Sequence, residues 1–96
     1  MKYRSRTDII SMILQAAMHG ATKTRIMYSA FLSYAQVQEY LHFLMERRLM
    51  SFEEASAQYK LTAEGLRFLS VYDEISQIVS LDGSKSSDKV LPRLLG

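Results

Sequence analysis

Apolar positions recur at helical spacing over most of the chain and switch to alternation in one short stretch. Ile9, Ile10, Ile13, Leu14 and Ala17 fall within about 140° of arc at 100° per residue, a single buried face. They predict a first helix over 7–19. Thr7 is its expected N-cap, Asp8 sits in the first turn where the positive helix end favours a carboxylate, and Gly20 suits a left-handed terminus. A short second helix is predicted over 23–29, capped by Thr22, with Ile26, Met27 and Ala30 inward.

The pattern breaks at Phe31-Leu32-Ser33 and restarts at once, without Gly or Pro. Ser33 and Gln36 stand at the capping-box spacing, so their side chains can satisfy N–H groups that a restarting helix leaves unpaired. Phe31 and Leu32 are expected to need no unusual backbone and to anchor the turn in the core. The third helix is predicted over 34–48. Its buried stripe is Val37, Tyr40, Leu41, Leu44 and Met45; its outer face is Ala35, Gln38, Glu39, His42 and Glu46.

Residues 49–52 and 58–61 then alternate around Glu53-Glu54-Ala55-Ser56-Ala57, which predicts a two-stranded hairpin. Thr62 caps a long fourth helix expected to reach about Leu81, with Glu64 in its first turn. Leu66 and Leu69 form one apolar face near its start. Phe68, Val71, Tyr72, Ile75, Ile78 and Val79 form a second, and Phe68, Tyr72, Ile75 and Val79 have the 4-3-4 spacing of a coiled-coil seam. Residues 82–88 read as a flexible linker, followed by an apolar patch from Val90 to Leu95.

The order helix, helix, turn, helix, hairpin, helix predicts a mainly α fold with a small β-hairpin, a winged helix-turn-helix with a long C-terminal dimerisation helix. We divide it into a winged-helix domain at 1–61 with a basic arm at 1–6, a dimerisation helix at 62–81 and a flexible tail at 82–96. The third helix would be presented outward beside the hairpin, with dimensions that suit a major groove.

Composition narrows the function classes. Ninety-six residues with 48% hydrophobic content make one domain with a modest core, so burial from a partner chain would matter. The absence of Cys excludes disulfides and thiolate metal sites. No run of 18 apolar residues exists, and MKYRSRTD lacks an apolar signal core, so a soluble intracellular protein is expected, without membrane partners. Net charge is only +2, but residues 1–30 hold Lys2, Arg4, Arg6, Lys23 and Arg25 against Asp8 alone, a balance of +4. The segments 31–60 and 61–96 each sum to −1.

The asymmetry decides nothing on its own; the winged-helix order of elements and the polar outer face of the third helix nominate double-stranded DNA as partner. Lys23 and Arg25, at the start of the second helix, are placed for phosphates beside a groove. Ser33, Tyr34, Gln36 and Gln38 are the candidates at the groove itself, and a Gln amide can bond an adenine edge in bidentate fashion. His42, one turn on, could reach a phosphate. Arg4 and Arg6 form the basic arm. Arg47 and Arg48 are expected to complement the dipole at the end of the third helix, and Tyr28, Tyr40 and Tyr59 to pack in the core or hairpin. The alternative for each of these basic residues is solvated surface. Glu39, Glu46, Glu53 and Glu54 near this face favour a rival class, a protein-interaction module that contacts no DNA.

Catalysis finds no support. His19 and His42 have no ligand-like spacing to each other or to carboxylates, and no Gly-rich phosphate loop or nucleophile set occurs. No catalytic residue, metal site or cofactor is expected.

Three strings carry a family resemblance: Lys23-Thr24-Arg25-Ile26-Met27-Tyr28; Leu32-Ser33-Tyr34 with Tyr40-Leu41 and Leu44; and Tyr59-Lys60-Leu61-Thr62-x-x-Gly65-x-x-Phe68-Leu69. Together they resemble archaeal winged-helix DNA-binding proteins, the Sulfolobus "ten-a" chromatin-associated type and related regulators, over roughly residues 7–80. The resemblance implies a dimer whose long C-terminal helices pair as an antiparallel coiled coil, in a transcriptional regulator or nucleoid-associated protein. The chain departs from that pattern twice. Arg47-Arg48-Leu49 lacks the Gly that usually ends the recognition helix, and the acidic wing tip at 53–57 weighs against insertion into a minor groove.

A dimer is also expected from the fourth helix itself. Fully burying a Leu, Ile, Val or Phe stabilises by about 1.5–3 kcal/mol, which Ile75, Ile78 and Val79 would forgo on a protruding helix. A symmetric partner is the simplest cover. The alternatives are a helix folded back on its own domain, or cover by the 90–95 patch.

Overall fold

A computed structural model describes residues 4–79 of the chain. The first three residues of the expected arm, the end of the fourth helix near Leu81, and the tail at 82–96 with its apolar patch lie outside the described residues. The elements run α1 (Arg6–Ala16), α2 (Lys23–Ser29), α3 (Tyr34–Glu46), β1 (Met50–Glu53), β2 (Gln58–Leu61) and α4 (Ala63–Val79).

Helix α1 starts before the expected cap. Ser5, not Thr7, is the N-cap: its hydroxyl accepts the Asp8 N–H at 3.0 Å while Asp8 Oδ2 accepts the Ser5 N–H at 3.1 Å. The S-x-x-D spacing satisfies two unpaired donors reciprocally, which a cap at Thr7 would not. The helix also ends early. Tight turns bring the N–H groups of Met18 and Gly20 onto the Gln15 and Ala17 carbonyls. Gly20, at φ 92°, then turns the chain toward α2.

The break between α2 and α3 overturns the expectation for Phe31. Its φ is 57°, and the residue is 74% exposed. The Phe31 N–H donates to the Tyr28 carbonyl at 3.2 Å and the Leu32 N–H to the Met27 carbonyl at 3.0 Å, a helix-ending motif that normally places Gly at the left-handed position. Leu32 is buried. Sending Leu32 inward forces the left-handed turn one residue earlier and pushes Phe31 into solvent. The same geometry ends α3: Arg48 takes φ 61°, with Arg48 N–H on the Met45 carbonyl at 3.0 Å and Leu49 N–H on the Leu44 carbonyl at 2.9 Å. Thus Arg48 fills the place of the missing Gly.

Helix α3 restarts with the expected capping box. Ser33 Oγ accepts the Gln36 N–H at 3.2 Å, and Gln36 Oε1 accepts the Ser33 N–H at 2.9 Å. The hairpin pairs Met50 with Leu61 and Glu53 with Gln58, and the rings of Phe52 and Tyr59 lie 4.8 Å apart across it. Beyond the expected pairing, Ala21 bridges Tyr59 through two backbone hydrogen bonds of 3.0 and 2.7 Å, tying the hairpin to the α1–α2 link.

The core is one cluster. Ile13, Leu14, Ile26, Val37 and Leu44 are fully buried, and Ala17, Leu41, Met50 and Leu69 join them. Met45 and Leu66, both expected inside, are exposed. Gly65 takes the inward place instead of Leu66: a Cβ there would sit 2.2 Å from the Leu49 carbonyl oxygen. Thr62 Oγ1 accepts the Gly65 N–H at 3.1 Å and donates to the Arg48 carbonyl at 2.7 Å, seating the start of α4 on the end of α3. With Leu69 in the common core, the division at 61/62 separates elements that share one hydrophobic cluster.

Candidate nucleic-acid interface

The restart at Ser33 aims α3 outward. Val37, Tyr40, Leu41 and Leu44 enter the core, so residues 34, 38 and 42, spaced four apart on the other side, share one exposed face. Ser33, Tyr34, Gln36, Gln38 and His42 are all exposed. They differ in what they can still offer. Ser33 Oγ and Gln36 Oε1 are occupied by the cap, which leaves Gln36 its NH2 for a ligand. His42 Nε2 lies 3.4 Å from Glu46 Oε2, so the histidine faces a carboxylate on its own helix.

Lys23 draws two of these residues together. Its Nζ donates to Gln38 Oε1 and stands 5.2 Å from the centroid of the Tyr34 ring. The contact joins the first residue of α2 to the first turns of α3. Arg25 is also exposed, and with Gln15, His19, Thr24 and Tyr28 it lines an open groove of about 800 Å³ between the end of α1 and α2. Tyr28, expected to pack, is 70% exposed on that groove. Tyr40 and Tyr59 do pack, Tyr40 in the core and Tyr59 against Phe52.

The basic arm takes a different form in the described residues. Arg4 donates to the Ala30 carbonyl and, at 3.1 Å, to the Phe31 carbonyl. Carbonyls left over at a helix C-terminus carry partial negative charge, and a guanidinium satisfies both at once. Arg6 belongs to the first turn of α1, its guanidinium 5.2 Å from the Tyr40 ring and 5.6 Å from the Phe43 ring. Arg47 caps α3 and covers Phe43 from 4.8 Å.

At the hairpin, Glu53 pairs with Lys60 at 2.9 Å and accepts the Ser56 hydroxyl at 3.0 Å. These partners, Lys60 foremost, hold its carboxyl below the ordinary range. On α4, Tyr72 stacks on Phe68 at 6.4 Å and donates its phenolic O–H to Asp8 Oδ1. That bond, followed by those from Ser5, lowers the Asp8 pKa from its ordinary 3.8. Phe68 and Tyr72 therefore engage the chain's own α1 side. Val71, Ile75, Ile78 and Val79 stay open at 46%, 52%, 65% and 64% exposure.

Sequence reasoning missed the Lys23–Gln38 bond, the Arg4 cap and the packing role of Gly65. Lys23 and Gln38 lie 15 positions apart and Arg4 and Ala30 lie 26 apart, so no periodicity links them. Gly65 had a signal in its capping partner Thr62, three residues before it. Among the described residues no three His, Cys, Asp or Glu side chains come together to hold a metal ion, and no helix is long and apolar enough to cross a membrane.

An outward helix following a tight turn, braced by a two-stranded hairpin, defines a winged helix-turn-helix protein. The chain matches the winged helix-turn-helix family over residues 3–80 and belongs to it. No curated protein sequence matches it. Among solved structures it is similar to Sso10a-2, a DNA-binding protein from Sulfolobus solfataricus, with a TM-score of 0.74 and 22% identity over 97% of this chain and 98% of that one. It is also similar to Lactococcus lactis ZitR, solved in complex with DNA, with a TM-score of 0.52 and 17% identity over 99% of this chain and 73% of that one. At these identities the likeness is one of fold.

Proposed function

We propose that the chain binds double-stranded DNA as a homodimer, acting as a cytoplasmic, nucleoid-located transcriptional regulator or architectural protein. The observation that carries the reading is the exposed face of α3 from Tyr34 to His42, flanked by Lys23 and Arg25 on α2. Helix α3 lies in the major groove with Tyr34 and Gln38 toward base edges. Lys23 and Arg25 contact phosphates, and Arg4 and Arg6 add positive charge behind them while holding α1, α2 and α3 in register. The fold likeness to one DNA-binding protein and to another solved in complex with DNA supports the same reading.

The acidic residues weigh less against DNA than their sequence positions imply. Glu53 is paired with Lys60, and Glu46 lies beside His42. Glu39 and Glu54 have no such partner among the described residues, and they favour the second reading, a protein-interaction module.

The dimer rests on α4. Val71, Ile75, Ile78 and Val79 leave one face of the helix in water, where covering each side chain stabilises by about 1.5–3 kcal/mol. A second copy related by a two-fold axis covers that face with the same residues.

Titration of a mixed-sequence duplex by fluorescence anisotropy at low and moderate salt tests the reading. Salt-sensitive binding is expected, because phosphate contacts release counterions. No binding at low salt would replace DNA with a protein partner.

A further inference from the structure

We infer that Lys23 sets the base preference of Gln38, turning an amide that could read adenine into a reader of guanine. The inference rests on the DNA-binding reading and deepens it. A glutamine amide has two different ends, an oxygen that accepts and an NH2 that donates. Bidentate recognition of adenine uses both, the oxygen for the N6 amino group and the NH2 for N7.

In this chain one of the oxygen's two lone pairs is taken, and a cation stands beside the other. Lys23 Nζ meets Gln38 Oε1, and an ammonium group can only donate, so chemistry alone identifies the atom it faces as oxygen. The lysine is itself held, because its ammonium also lies 5.2 Å from the centre of the Tyr34 ring. Tyr34 and Gln38 are one helical turn apart on α3, so the two side chains bracket the same cation. Beside that oxygen the Lys23–Gln38 pair sets the amide NH2 and the positive charge of the ammonium, which together outweigh the one lone pair that Oε1 keeps.

The major-groove edges respond differently to such a surface. Guanine offers two neighbouring acceptors, N7 and O6. Adenine sets the donor N6 amino group beside N7, and cytosine offers a donor alone. A surface dominated by donors and positive charge therefore favours guanine, disfavours adenine and rejects cytosine, while thymine, with O4 alone, offers it a single acceptor. The expectation that Gln38 pairs with adenine holds only for a Gln38 released from Lys23.

Selection from a randomised duplex pool, followed by sequencing of the retained DNA, tests this. The full chain is compared with its Lys23→Met, Lys23→Arg and Gln38→Ala variants. The wild type should enrich guanine at a position whose preference disappears in Gln38→Ala. Lys23→Arg, which keeps a donor at Oε1, should retain guanine. Lys23→Met should bind more weakly overall and move the same position toward adenine by about fivefold or more, the scale of one good bidentate pair. Enrichment by the wild type of any base other than guanine, no Gln38-dependent position, or guanine kept in Lys23→Met would overturn the inference while leaving DNA binding intact. Failure of the wild type to retain any duplex at low salt would overturn the DNA reading and this inference with it.

Discussion

Tyr72 donates its phenolic O–H to the carboxylate of Asp8, 64 positions earlier in the chain. Asp8 also closes the Ser5 capping box, so one carboxylate both starts α1 and ties α4 to it. The bonds favour the charged form, and the folded pKa of Asp8 therefore lies below its ordinary value of 3.8. A depressed carboxylate contributes stability that is complete above the unfolded value and lost as pH falls through the folded one. Asp8→Ala should cost about 1 kcal/mol at neutral pH, the usual worth of a cap. Urea melts of both proteins at neutral pH and through a series of pH values falling below 3.8 should show the gap closing in acid. A gap of unchanged size there would remove ionised Asp8 from the account.

Gly65 meets the Leu49 carbonyl so closely that a methyl group has no room. The obstacle is backbone, which cannot rotate away as a flexible side chain would. Gly65→Ala gains about 1 kcal/mol of helix propensity but forces α4 off the end of α3. A net loss of about 1–3 kcal/mol is expected, the usual scale of overpacking. Thermal and denaturant midpoints measure it. A stabilised variant would show that α4 can shift without cost.

In the proposed complex Lys23 and Arg25 neutralise phosphates. Changing both to Ala should weaken binding to every duplex and flatten the slope of log affinity against log salt by about 0.9 for each phosphate no longer neutralised. Anisotropy titrations across a salt series read both quantities. An unchanged slope would take these two residues out of the interface.

Ile75 and Ile78 are more than half exposed on α4. Charged substitution of both, Ile75→Glu with Ile78→Glu, should convert a dimer to a monomer without unfolding it, since neither residue belongs to the core cluster. Sedimentation equilibrium and circular dichroism check the two halves of that statement. A wild-type chain that sediments as a monomer at micromolar concentration would leave α4 needing another cover.

The candidate site was legible in its parts and opaque in its connections. Ser33 with Gln36 announces a helix start three residues apart, and the outer face of α3 follows from the stripe of Val37, Leu41 and Leu44. Those signals are local, so periodicity carries them. The use made of Arg4, expected in a free arm and found closing α2, depends on carbonyls 26 and 27 positions away. Likewise a linear string does not show that Lys23 meets the amide oxygen of Gln38, 15 positions away.

By itself the sequence determined the element order, the three capped helix starts at Thr22, Ser33 and Thr62, the hairpin, and the apolar face of α4. Each depends on side chains within a turn or two of one another. Tertiary structure decided where the chain must strain and what it must share. Phe31 and Arg48 take left-handed backbones because Leu32 and Leu49 have to turn inward, and Gly65 is small because a carbonyl from another element occupies the space. Those outcomes follow from close packing between elements distant in sequence, a constraint that only exists once the core has formed.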